Sequence, residues 1–284
     1  MRRCCREIVC CACLLAAARG ADAASLKVAP ARFIVHNVTP GTVYDIHAET
    51  GLRLTVYNDD EVSRTWLLST HRPSERGTWE TGYAEIPDAH WCWLDRNEVT
   101  VEPNGKAYAH LFLQVPAEER YYNQQWVVTL GIEGKRNAGG VALAADVRMQ
   151  IETKSKEDVS ARPDGPLGIR PSLLRFEDAA PGGEAAADVT VFNNSAAPGK
   201  YTVVPLFGQP GIEPRTYLTH GFEAIADKDW LVYESVVSVE PGGTASLRVV
   251  LKIPGDAAHY GKRWEELLLF RTEDGLSRFV RVQV

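Results

Sequence analysis

The sequence predicts an all-β protein made of two tandem antiparallel β-sandwich domains that are related by internal duplication. Three observations support this prediction: a repeat at long range, an alternation of apolar and polar residues with a period of two, and Pro- and Gly-containing turns that bound the alternating segments. The chain has 284 residues, which is enough for two domains of ordinary size after a short leader.

The repeat is clearest around one turn and the segment that follows it. Val-Glu-Pro-Asn-Gly at 101–105 recurs 138 residues later as Val-Glu-Pro-Gly-Gly at 239–243. The same spacing relates Trp126 to Trp264. An ordered series of matches at one spacing indicates that a whole domain has been duplicated.

Each copy reads as a series of strands. Every second residue from Ala107 to Val115 is apolar, and the pattern returns from Ala245 to Ile253. Alternation with one polar face is typical of antiparallel sheets. The strands predicted in the first copy lie at 27–36, 51–58, 64–70, 98–102, 106–115, 124–133 and 141–151, and those in the second at 169–176, 187–193, 200–206, 236–240, 244–253, 263–271 and 276–284. About seven short strands per domain are typical of immunoglobulin-like sandwiches.

Two aromatic positions in each copy carry structural predictions. Trp126 and Trp264 precede an apolar stretch, and we expect both to point into a core. Tyr122 and Tyr260 stand four residues earlier, where immunoglobulin-like folds place a tyrosine corner.

The first residues have the pattern of a secretory signal peptide. Three arginines within the first six residues precede an apolar run at 8–18, and Ala-Asp-Ala at 21–23 fits the cleavage pattern. The apolar run is too short to span a bilayer. We therefore expect a mature protein that begins near Ala24, has no transmembrane anchor and is periplasmic or extracellular.

Changes in composition divide the chain. A charged stretch containing Pro and Gly lies between Lys154 and Pro166 and is typical of a linker. The predicted divisions are a signal peptide at 1–23, a first immunoglobulin-like domain at 24–153, a linker at 154–168 and a second such domain at 169–284.

Cysteine usage and net charge exclude several classes of site. Five of the six cysteines lie at 4–13, so the mature chain keeps only Cys92, which stands between two tryptophans and is predicted to be a buried small hydrophobe. The histidines and Cys92 have no spacing typical of a metal site, and we predict no metal and no cofactor. The net charge of −6 gives no support to nucleic-acid binding.

The strand pattern resembles a known branch of immunoglobulin folds. Val56-Tyr57-Asn58, the turn Val-x-Val-x-Pro-x-Gly at 99–105 and the Val-Pro that ends the next strand are similar to the PapD-like and major-sperm-protein-like branch, which includes periplasmic pilus chaperones. The resemblance implies an alternative function, assembly chaperoning by donation of an edge strand, with a basic residue that grips a C-terminal carboxylate. Arg32, on the first predicted strand, is the position that corresponds to it.

A long insert in the first copy stands out by its aromatic content. The segment 66–93 carries four tryptophans, whereas the second copy has only Trp230 at the equivalent place. Trp93 and Trp230 are predicted to match and to be core residues. The remaining aromatic residues and two arginines are the predicted binding surface, because aromatic and Arg side chains dominate many interfaces: Trp79, Tyr83, Trp91, Arg72 and Arg76.

Catalytic interpretations have weaker support. Cys92 and His90 could form a thiol and base, but the sequence supplies no third group to orient the base. Glu80, Glu85 and Asp88 could furnish a glycosidase carboxylate pair, the remote hydrolytic alternative, although a solvated acidic loop explains them better. The sequence therefore predicts a non-enzymatic module of the cell envelope that recognises a protein or glycan through loops of the first domain.

Overall fold

The computed structural model of the chain describes residues 26–135, 143–177, 179–225 and 227–284. The predicted signal peptide lies outside the described residues.

The first domain is built from short and medium-length strands. They are β1 (Lys27–Ala29), β2 (Arg32–Val38), β3 (Val43–Asp45), β4 (Leu54–Asn58), β5 (Arg64–His71), β6 (Ala84–Glu85), β7 (Cys92–Leu94), β8 (Glu98–Val101), β9 (Gly105–Ala109), β10 (Leu111–Gln114), β11 (Gln125–Gly134) and β12 (Ala144–Thr153). Two short helices, α1 (Ile46–Thr50) and α2 (Pro73–Arg76), and 3-10 turns at Ala89–Trp91 and Glu119–Tyr121 interrupt them.

The second domain repeats this series. Its strands are β13 (Leu167–Arg170), β14 (Leu173–Arg175), β15 (Glu184–Asn193), β16 (Gly199–Pro205), β17 (Glu223–Ala224), β18 (Leu231–Val232), β19 (Val236–Val239), β20 (Thr244–Lys252), β21 (Trp264–Arg271) and β22 (Ser277–Gln283). Its 3-10 turns lie at Pro214–Thr216, Lys228–Trp230 and Ala257–His259.

Equivalent strands pair in the same way in the two domains. In the first, one sheet has the order β2-β12-β11-β5-β8, with β6 beside β11; in the second, the order is β14-β22-β21-β16-β19, with β17 beside β21. The strand at the edge, β2 or β14, is parallel to its neighbour, whereas the central pairs are antiparallel. Shorter sheets, β1-β4-β9 and β3-β10-β7 in one domain and β13-β15-β20-β18 in the other, complete the sandwiches. The predicted duplicated all-β sandwich fold is confirmed.

The alternation predicted at 107–115 and 245–253 is present, with one interruption. In β20, Leu247, Val249 and Leu251 are buried, as the period of two predicts. The single strand predicted at 106–115 is divided at His110 into β9 and β10, which pair with different neighbours. The division has a local cause, because the His110 amide donates to the Asp95 carboxylate at 2.9 Å.

An aromatic triad closes the core of each domain. Trp126 packs against Tyr121 and Trp91 with ring centroids 5.7 and 5.6 Å apart. In the second domain, Trp264 packs in the same way against His259 and Trp230, at 5.9 and 5.3 Å. The predicted burial of both Trp126 and Trp264 is confirmed.

The triads correct two sequence-based assignments. The residue of the first domain that corresponds to Trp230 is Trp91, whereas the sequence predicted Trp93. Trp93 is also not a core residue, because it is 38% exposed and stacks on Phe112. Trp93 lies on an edge strand whose inward-facing neighbour is Cys92, so its side chain points outward.

The tyrosine corner predicted at Tyr122 and Tyr260 is wrong, because the ring that packs inward at this corner is that of the preceding residue. Tyr260 is 63% exposed, and its predecessor His259 occupies the triad, as Tyr121 does in the first domain. The 3-10 turns that end at Tyr121 and His259 turn those two side chains inward and the next residue out.

The segment between the domains has no strand or helix but is held in place. The side chain of Asn123, in the first domain, donates to the Lys156 carbonyl at 2.7 Å and accepts from the amides of Lys156 and Ser172, each at 3.0 Å. Val159 is buried. One asparagine therefore ties together the first domain, the connecting segment and the start of the second domain.

Glu266 is a buried carboxylate where the first domain has Val128. Its Oε1 accepts from the amides of Phe207 and Leu267 at 3.0 and 2.8 Å. Burial raises the pKa of Glu266 to about 7, and these backbone donors only partly offset the rise. The carboxylate is therefore protonated more readily in the folded chain than in the unfolded one.

The raised pKa of Glu266 makes stability depend on pH. The stabilisation due to its proton is complete below the unfolded pKa of about 4.5 and is lost as the pH rises through the folded value of about 7. We expect Glu266→Gln to gain about 3 kcal/mol of unfolding free energy relative to the wild type between pH 4.5 and pH 8.

Urea unfolding of both proteins across that range measures the effect. The exposed Glu102 supplies the control, because Glu102→Gln should follow the wild-type pH profile. Parallel profiles for Glu266→Gln and the wild type would show that the carboxylate ionises normally in the folded chain.

Candidate functional site

The two domains meet across equivalent faces. Val127 on β11 lies in one apolar cluster with Leu267 and Leu269 on β21, the strand that repeats β11. The inserts also meet, since the rings of Tyr83 and Tyr217 lie 6.3 Å apart between centroids. The other buried members of this interdomain cluster are Leu206, Phe207 and Phe279.

A buried ion cluster joins the domains beside these apolar contacts. Arg281 on β22 pairs with Glu152 on β12, with Nε 3.0 Å from Oε2, and also with Glu265 on β21. The Tyr83 hydroxyl donates to Glu152 at 2.7 Å. Burial would raise the pKa of Glu152, but the charges of Arg281 and His36 outweigh it and hold that pKa well below its usual range.

A second carboxylate, Glu80, is held from three sides. Its Oε2 lies 3.4 Å from Arg32 and 3.1 Å from Arg148, and the Tyr217 hydroxyl donates to its Oε1 at 2.7 Å. Arg32 is the position that the resemblance assigns to gripping a carboxylate. In this structure the carboxylate on Arg32 belongs to the chain itself.

An opening that contains predicted site residues lies between the domains, and we name it the Trp79 cleft. It has a volume of about 640 Å³, and its walls come from residues between 79 and 85, from the connecting segment 164–166, and from residues between 269 and 278. Trp79, which lines it, is 56% exposed. A volume of this size suits a small ligand.

Arg278, on β22, lines the same cleft and is only 6% exposed. Its Nη1 donates to the Ser277 carbonyl at 3.0 Å, and none of the carboxylates in the described ranges lies within ion-pair distance of it. Burial lowers the pKa of Arg278 to about 10, and the charge of Asp164 opposes the change from farther away. The guanidinium is therefore buried and charged without a contacting anion.

The five residues predicted as a binding surface do not form one surface. Trp79 is exposed, but Tyr83 is buried between the domains and Trp91 is half-buried in its triad. Arg72 pairs with Glu85, and Arg76 pairs with Glu133 and Asp146. Tyr83 and Trp91 point inward because the insert folds back over β11 and the second domain.

The sequence did not identify Arg278 as part of the site. It lies in the second domain, in the last predicted strand, far in sequence from the aromatic insert. Its alternation with Val280 and Val282 indicates only a strand with a polar face. No local signal could have placed it beside Trp79.

Cys92 and His90 do not form a catalytic pair. Cys92 is fully buried, and burial strongly raises the pKa of its thiol. The His90 side chain is exposed and pairs with Asp88 at 2.9 Å. The thiol is therefore protonated and out of reach of a substrate.

Hydropathy gives one further finding. Among residues 26–135, 143–177, 179–225 and 227–284, no helix is long and apolar enough to cross a membrane.

The two arginines of β22 differ in a testable way. Removing one partner of a buried ion pair typically costs about 3–5 kcal/mol, because the other charge stays buried. We expect Arg281→Met to lose about this much unfolding free energy, since it removes the arginine from both Glu152 and Glu265 and leaves Glu152 with only His36 as an ion-pair partner. The unfolding free energy of the matched variant Arg278→Met should be higher than that of the wild type or lie within about 1 kcal/mol of it. Denaturant titration measures both, and equal losses would contradict the assignment of the two sites.

Comparison with known proteins gives structural matches only. The sequence matches no protein-family model. It matches none of the curated proteins. Similar solved structures include a protein of unknown function from Porphyromonas gingivalis, with 16% identity and a TM-score of 0.36, over 91% of this chain and 98% of that one.

Two other similar structures are of chaperones or their complexes. The periplasmic chaperone SfaE is 11% identical with a TM-score of 0.31, over 92% of this chain and 100% of that one. A chain of the complex between the SafA pilin and the SafB chaperone of Salmonella enterica is 13% identical with a TM-score of 0.32, over 92% and 95%. The sandwich assignment rests on the strand pairing of this chain.

Proposed function

We propose that this chain is an exported, non-enzymatic binding module of the cell envelope that holds a glycan in the Trp79 cleft. The observation that carries the proposal is the position of Trp79. Its indole is more than half exposed and lines a cleft with walls from both domains. An exposed indole offers an apolar face and an N–H donor, a combination that suits a sugar ring and its hydroxyl groups.

The exposure of Trp79 sets it apart from the tryptophans that stabilise the fold. Trp126, Trp230 and Trp264 are buried in the triads, and Trp66 is buried in the first core. Emptying such core positions would cost stability, but Trp79 contributes little to either core. Its presence at the cleft is therefore explained better by binding than by folding.

The cleft favours a sugar over an extended peptide. The β22 backbone beside it is already covered by the first domain, because Gln125 donates to the Phe279 carbonyl at 3.2 Å. The Gly82 amide also donates to the Ser277 hydroxyl at 3.1 Å. A peptide that pairs as a strand would need this edge free, whereas the hydroxyl groups of Thr81 and Thr272, which line the cleft, suit a ligand rich in hydroxyls.

The carboxylates near the cleft support binding rather than glycoside hydrolysis. Glu80 is held by two arginines, Glu85 by Arg72, and Asp88 by His90. A glycosidase needs a protonated carboxyl group and a free carboxylate on either side of the scissile bond. Glu80 and Glu85 are committed to ion pairs within the chain, and Asp88 is hydrogen-bonded to His90.

Glycan binding is tested with a printed array that includes neutral and acidic oligosaccharides. We expect the wild type to bind and Trp79→Ala to lose roughly tenfold or more in affinity, as is typical when an aromatic anchor is truncated. Trp93→Ala is the matched control, because Trp93 is exposed but stacks on Phe112 away from the cleft. Binding by Trp79→Ala at wild-type strength, or no binding of any array member by the wild type, would contradict the proposal.

A second candidate function is assembly chaperoning by strand pairing, and an open sheet edge favours it. β12 begins at Ala144, but β2 pairs with it only from Arg148 onward. The Arg148 amide donates to the Ala31 carbonyl at 3.1 Å, so the Asp146 amide points to the same edge beyond the end of β2. A partner strand could extend the sheet there, and its C-terminal carboxylate would compete with Glu80 for Arg32.

Strand pairing at this edge predicts a difference between two variants of one residue. Asp146→Pro removes the amide donor, whereas Asp146→Asn keeps it, and both lose the ion pair with Arg76. The probe is a synthetic peptide of alternating valine and threonine with a free C-terminal carboxylate. We expect Asp146→Asn to bind it and Asp146→Pro not to bind it, measured by fluorescence anisotropy. Equal binding by the two variants would exclude pairing at this edge.

A further inference from the structure

We propose that the ligand of the Trp79 cleft is an acidic sugar whose carboxylate pairs with Arg278. This inference rests on the proposed glycan-binding function and specifies the class of ligand. It begins from a contrast between two arginines on one strand. Arg281 pairs with two carboxylates, whereas among the described residues Arg278 hydrogen-bonds only to the carbonyl of its neighbour Ser277.

Burying a charged guanidinium without an anion is costly, because the group loses its water shell and gains no opposite charge. Nothing in the packing of the second domain requires an arginine at 278. The neighbouring Phe279 and Val280 supply the apolar contacts of that part of β22. A bound anion would supply the missing partner, and this accounts for a buried arginine at the position.

The surroundings of Arg278 leave it facing the cleft. The connecting segment covers it on one side, where a side-chain carbon built on Gly165 would come within 3.3 Å of Nη2. Gly165 has a φ of +86°, a conformation that favours glycine and lets the segment pass this close. The remaining space beside the guanidinium is the cleft that Trp79 also lines.

The charge balance of the cleft also favours an anion. Glu80 and Glu85 line it but are neutralised by arginines that lie around them. Arg271 adds an exposed positive charge near Arg278. Asp164 is the remaining acid in the lining, and it acts on Arg278 through its charge without an ion-pair contact.

A carboxylate is the anion that fits these neighbours. The planar guanidinium binds a carboxylate with two parallel hydrogen bonds. A sugar ring with a carboxylate substituent would place its ring on the Trp79 indole and its charge toward Arg278. Glucuronate and glucose have the same ring and differ at the carboxylate, so they make a matched pair of probes.

The experiment titrates the full mature chain with sodium glucuronate and with glucose and measures binding by saturation-transfer NMR, which observes the signals of the sugar. We expect glucuronate to bind roughly tenfold more tightly than glucose, the value of one hydrogen-bonded charge contact. Arg278→Met should remove this preference and leave glucose binding unchanged. Asp164→Asn should tighten glucuronate binding, because it removes a competing negative charge.

The outcomes separate this inference from the proposed function. If Trp79→Ala loses both sugars but Arg278→Met keeps the preference for glucuronate, glycan binding stands and the role of Arg278 is overturned. If neither sugar binds but a tri-aspartate peptide does, the ligand is an acidic polypeptide, which overturns the choice of a sugar. Arg278→Lys, which keeps the charge but not the fork of donors, should retain part of the preference and guards against a folding defect in Arg278→Met.

Discussion

The arrangement of the two domains depends on the buried Arg281. Its guanidinium lies between Glu152 of the first domain and Glu265 of the second, so one side chain connects the central sheets of both sandwiches. Because an unpaired charge at this depth is costly, the two sheets are held where all three groups can meet. The Trp79 cleft exists only in that arrangement, since its walls come from both domains and from the segment between them.

The sequence was sufficient to predict the fold because local residue patterns specify most of it. The alternation in β20 and the recurrence of Val-Glu-Pro at 101 and 239 depend on residues close together in the chain or on direct repetition. The division of one predicted strand at His110 was not predictable, since it depends on a hydrogen bond that the His110 amide donates to Asp95, 15 residues away in the sequence. An alternation with a period of two specifies which face of a strand is buried. It does not specify where a contact with another segment of the chain interrupts the strand.

The candidate site was only partly predictable, for a related reason. Composition singled out the aromatic insert, and Trp79 is exposed there. Composition could not distinguish Trp79 from Tyr83 and Trp91, because an aromatic ring suits a core, a domain interface and a ligand equally well. Arg278 could not be found at all, since what marks it is the absence of a contacting carboxylate among the described residues, and that is a property of the folded chain.

The meeting of equivalent faces has a consequence for how this protein can change. β11 and its copy β21 line the same interface, and the tips of the matching inserts touch through Tyr83 and Tyr217. This is the geometry of an isologous dimer in which both subunits belong to one polypeptide. In a homodimer every substitution appears twice at the interface. A single contact such as that between Arg281 and Glu152 could therefore not arise there without a second, symmetry-related copy. Joining the two copies in one chain removes that constraint. A side chain on one wall of the cleft can then change without the same change on the opposite wall.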